Sequence, residues 1–109
     1  MPDEHSPVVA RLASTMMKEA KMRLLDHPGI TKVAIGVRVT SPDHKVCHIL
    51  TVETNMPLSK KQSGFDQDQF DRLLHAVAET MEEIGADEVD IHAVDNPNPV
   101  ITASRPPSA

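Results

Sequence analysis

Residues 88–97, EVDIHAVDNP, hold the most suggestive chemistry in the chain. Asp90 and His92 stand two apart, a spacing that puts both on one side of a strand. A carboxylate and an imidazole sharing a face suit a divalent transition metal such as zinc, nickel, cobalt or iron. Asp95 follows beyond the strand and reaches that side only if the turn brings it round. His48 joins them only if the even-numbered side of its own strand faces the same way. That side is also the more apolar one, which speaks for a buried histidine. The candidate metal donors are therefore His92, Asp90, Asp95 and His48, and a homodimer is needed to assemble a full set. Asp43, His44 and Cys47 form a second cluster around a turn. The plainer reading of EVDIHAVDNP is the polar, solvated side of an ordinary strand.

Other reactive groups read as structural. His75 falls beside Arg72 and Glu79 on the charged side of a helix, and Cys47 reads as a small strand residue. Met16, Met17, Met22 and Met81 suit core filling better than a soft-metal site. The four glycines are isolated, so no phosphate-cradling loop is present. No Ser-His-Asp or Cys-His signature is visible locally. The chain is expected to be non-enzymatic.

Composition narrows the partners. Sixteen acidic residues against eleven basic give a formal charge of -5, and the cations are scattered apart from Lys60-Lys61. A nucleic-acid binder normally shows a basic stripe. Two phenylalanines with no Trp or Tyr also remove the platforms on which bases stack. Nucleic acid is excluded as an expected partner. No apolar run approaches the roughly 20 residues that span a bilayer. A single cysteine rules out an internal disulfide and suits a reducing compartment, so a cytoplasmic protein without membrane insertion is expected.

The elements that must position these residues read as α-β-β-α-β. Val9, Leu12, Met16, Ala20 and Leu24 recur at helical spacing between Val8 and Leu25, and Pro28-Gly29 stops that helix. His27 is placed to act as a capping cation at its C-terminal end. KVAIGVRVT (32–40) alternates, with Val33, Ile35, Val37 and Val39 on one face and Ala34, Gly36, Arg38 and Thr40 on the other. SPDHK makes a turn into a second strand, 46–54, paired as an antiparallel hairpin. In the second helix Asp66 is the N-cap, Phe65 and Phe70 make a hydrophobic staple, and Gly85 is the stop. Phe70, Leu73, Leu74, Val77, Met81 and Ile84 form its buried stripe. The third strand, 88–94, turns Val89, Ile91 and Ala93 to the core.

The expected fold is α+β: a two-layer sandwich of ferredoxin-like or KH-like size, with a three-stranded sheet and two helices on one face. Residues 1–7 read as a polar N-terminal tail, 8–94 as the single domain and 95–109 as a Pro-rich C-terminal tail. With the helices on one face, nothing in the chain covers the other. Ala34 and Gly36 there would let another backbone come close, so a homodimer through the open face or a sheet edge is expected.

The order helix, HPGITKV, strand, hairpin, strand, helix, EVDIH resembles the cytoplasmic C-terminal domain of cation diffusion facilitator transporters over about residues 8–97. That resemblance implies a dimer that binds divalent cations, with His92 most like a family ligand and Asp95 like its acidic partner. The family spacing is His-x-Asp, whereas here it is His92-Ala93-Val94-Asp95, and the loop before the second helix is longer. The chain would be a stand-alone relative without the membrane domain. The start, through TSPDHKVCHILTV, is similar to the ribosome-binding factor A family, whose RNA-contacting role the acidic charge opposes. The segment PGITKVAIGVRV…ILTVETNMPLS is similar to a hairpin found beside some bacterial trypsin-like proteases. Two functions follow: a dimeric metal-binding regulatory or metallochaperone-like module, or a metal-free adaptor docking to a protein partner through its open face and Pro-rich tail.

Overall fold

Residues 6–40, 42–96 and 98–104 are described by the computed structural model. Helix α1 runs Ser6–Leu24, so the last two residues of the expected N-terminal tail are its first turn. Pro7 is tolerated there because the first amides of a helix have no intrahelical acceptor. Met16, Ala20 and Leu24 are buried at four-residue spacing, while Leu12 remains 48% exposed. The expected side-chain role of Val9 lies outside the described part of the helix.

Strand β1 (Ile30–Thr40) and strand β2 (Lys45–Thr54) form the expected antiparallel hairpin. Its turn holds His44 at a positive φ of 53°. Helix α2 (Gln67–Ile84) starts where the sequence indicates: the Asp66 carboxylate accepts from the amides of Asp68 and Gln69. The Phe65 and Phe70 rings meet at 5.4 Å. Gly85 closes the helix at φ 79°, its amide donating to the Met81 and Glu82 carbonyls. Strand β3 (Glu88–Ala93) then pairs parallel with β2.

One part of the expected fold needs correction. The sheet has four strands, not three, because Ile101–Ser104 forms β4 antiparallel to β3. This strand falls within the segment expected to be a Pro-rich tail. Four residues are too few to display an alternating pattern, so pairing with β3 is what makes the strand. The sheet order is β1-β2-β3-β4.

Both helices lie on the same side of this sheet. Met16, Ala20, Leu24, Leu73, Val77 and Met81 join one buried cluster with Val33, Leu50, Val52, Val89 and Ile91, which all share one strand face by register. Cover fades toward the hairpin: Val33 is buried and Ile35 half-buried, but Val37 and Val39 are 42% and 58% exposed. The far end is better tied. Thr54 is fully buried, and its hydroxyl donates to the Gly29 carbonyl at 2.6 Å and accepts the Met56 amide at 3.0 Å. Gly29 takes φ +92°, and a Cβ there would meet the Met56 side chain at 2.5 Å, so glycine is required in this turn. Among the described residues no helix is long and apolar enough to cross a membrane.

Candidate functional site on the open sheet face

Register assigns the side chains at the centre of the face opposite the helices. Lys32, Ala34, Gly36 and Arg38 come from β1, and Cys47, Ile49, Thr51 and Glu53 from β2. Glu88, Asp90 and His92 come from β3. Three rows cross the strands: Lys32–Glu53–His92, Ala34–Thr51–Asp90 and Gly36–Ile49–Glu88. Asp90 and His92 thus share a face, opposite the core, as their spacing implies.

Ala34 and Gly36 leave a hollow of about 210 Å³ rimmed by Lys32, Thr51, Glu53 and His92. Gly36 is not demanded by its own fold. Its φ is ordinary for a strand, and a Cβ there would find only Ile49, at 4.0 Å. Arg38 and Glu88 are ion-paired across the face. Among the described residues, neither Lys32 nor Asp90 has an ion-pair partner.

The backbone contact of His92 favours one tautomer of its neutral ring. Its Nδ1 lies 2.9 Å from the Ala93 carbonyl. A carbonyl only accepts, so Nδ1 is the donor, and in the neutral ring Nε2 then holds the lone pair. Metal-binding histidines are commonly oriented in this way. Glu53, directly opposite His92 in the parallel ladder, is a second donor at the hollow, held by the Thr31 hydroxyl at 2.8 Å.

The other expected donors are elsewhere. His48 lies on the helix-facing side of β2, 8% exposed, in line with Leu50 and Val52. Its Nε2 is buried with no hydrogen-bond partner among the described residues. Its backbone is anchored: the amide donates to the Asp87 carboxylate at 3.0 Å, and its carbonyl accepts the Asp87 amide at 2.8 Å. Asp95 is exposed in the turn that Asn96 closes on the Ala93 carbonyl. Asp43 and His44 are exposed at the hairpin turn, and Cys47 is half-buried on the open face beside Arg38. Among the described residues no three His, Cys, Asp or Glu converge in a group able to hold a metal ion.

Glu53 escaped the sequence reading. The strand pattern placed it with Thr51 and Cys47, but only the β2–β3 register sets it against His92. Compared with models of protein families, with curated proteins and with solved structures, the chain matches none.

Proposed function

We propose that this chain is a non-enzymatic association module whose open sheet face is its working surface and a second copy of the chain its occupant. The hollow at Gly36 carries the reading. Glycine within a strand weakens it and commonly marks the close approach of another backbone. No neighbour among the described residues requires it.

Charge supports a second copy. A two-fold axis running along the strands would lay β1 of one copy over β3 of the other. Lys32, without an ion-pair partner among the described residues, would then meet the Glu53–His92 row of the other copy, with Asp90 one row away. Stacked sheets pack with their strands about 30° apart, and a small-residue floor permits close contact.

Sedimentation equilibrium of the wild-type chain and of Gly36→Lys tests this reading. The expected result is a dimer that the variant converts to a monomer with an unchanged circular dichroism spectrum, since the side chain has room in the single chain. A monomeric wild type, or a variant that still dimerises, would overturn it.

One observation favours a metal-binding version of the same module. His92 offers Nε2 and Glu53 a carboxylate at one hollow, with Asp90 in the next row. Two copies would supply four or more donors. Zinc, nickel, cobalt or iron(II) should then raise the unfolding midpoint by mass action, and His92→Ala or Glu53→Gln should abolish the rise. A midpoint unmoved by all four metals leaves the metal-free adaptor.

A further inference from the structure

A second surface, away from the open face, has the form of a peptide-binding groove. The helices stop short of β4, and an apolar trough of about 260 Å³ lies between α2 and this last strand. Leu74, Ala78 and Met81 line it from the helix, and Ile91, Ile101 and Ala103 line it from the sheet. β4 ends the sheet, so its outer backbone edge has no strand beside it among the described residues.

Sheet proteins blunt such an edge with a very short strand, lysine, proline or a bulge, and of these β4 has only its four-residue length. Ile101-Thr102-Ala103-Ser104 has no charge and no proline, and its pairing with β3 runs without a register break. An open edge beside a helix-walled trough is the geometry of strand addition: main-chain hydrogen bonds hold an extended segment while alternate side chains enter the trough.

Charge selects the occupant. α2 carries Asp68, Asp71, Glu79, Glu82 and Glu83 against Arg72 alone. Asp71 precedes Leu74 by three residues and Glu82 follows Ala78 by four, which makes them surface neighbours of the groove wall. Both are exposed. A second copy joined through β4 would bring a chain of the same net charge, -5, against this acidic surface, and like charges oppose that pairing. We infer that this groove takes an extended segment of another protein, with aliphatic side chains at alternate positions and lysine or arginine at its flanks, added to β4 as a fifth strand.

Short random peptides displayed on phage, selected on the full chain and remeasured as fluorescent synthetic peptides, test this. The expected winners alternate aliphatic residues and carry flanking Lys or Arg. Ala78→Arg, which puts a bulky cation into the apolar trough, should weaken them by about tenfold or more, as should Ala103→Asp if the first variant unfolds. Lys61→Ala, on the loop before α2, should leave binding intact. Amide signals of residues 101–104 should shift and exchange more slowly in the complex. No enrichment, enrichment of acidic or non-alternating peptides, or binding indifferent to both groove variants would overturn the inference. A dimer abolished by Ala78→Arg would overturn it too, by assigning the edge to a second copy.

Discussion

The two faces of this one sheet are built on opposite rules. On the helix-covered face Val33, Leu50, Val52, Val89 and Ile91 are almost fully buried, Val37 and Val39 lie exposed at the hairpin end, and His48 is a polar exception among the buried residues. On the open face the same strands present Lys32, Ala34, Gly36, Thr51, Glu53, Asp90 and His92, none fully buried. The covered face buries a continuous apolar cluster; the open face holds a hollow that a Cβ at Gly36 would enter without a clash. Stability is therefore concentrated on one side. Residues on the other side are free to serve recognition, because changing them costs the fold little.

Substitutions that separate the two faces should fall in a definite order. Leu50→Ala removes a fully buried side chain at the centre of the cluster and should cost about 3 kcal/mol in denaturant unfolding. A loss below about 1 kcal/mol would mean that the covered face is loosely packed and the contrast false. Thr54→Val keeps the volume but removes the hydroxyl that joins Gly29 to Met56, leaving the Met56 amide without its acceptor. The same assay should show a loss of about 1–2 kcal/mol.

His48→Leu tests the exception. It replaces a buried imidazole whose Nε2 is unmatched, while the backbone bonds to Asp87 remain. The expected change in melting is neutral or a gain of up to about 1 kcal/mol, and a marked loss would show that the ring has a partner. On the open face, Gly36→Ala should stabilise the monomer by about 0.5–1 kcal/mol, since the chain offers no steric objection. A destabilisation that grows with protein concentration would instead locate the close approach in an assembled state. His92→Ala, without metal, should move the unfolding free energy by less than about 0.5 kcal/mol.

Much of the covered face was legible in advance. The alternation in 32–40, the four-residue rhythm of Met16, Ala20 and Leu24, the Asp66 cap and the Gly85 stop are local signals, each decided within about one helical turn or a few strand residues. The apolar company of His48 pointed to its burial. The site was legible only in part. Asp90 and His92 share a face because side chains alternate along any strand, whatever its neighbours.

The amino-acid order by itself determined where the helices and the first three strands form, which side of each is apolar, and that both helices fall on one sheet face. These follow from periodicity and capping, which act between near neighbours. Tertiary structure alone decided the rest: Glu53 against His92, the fading of cover over Val37 and Val39, and the four residues that become β4. Each of these depends on pairing or packing between segments far apart in the chain. The register that wins is set by the sum over the whole sheet, so no short window of sequence contains it.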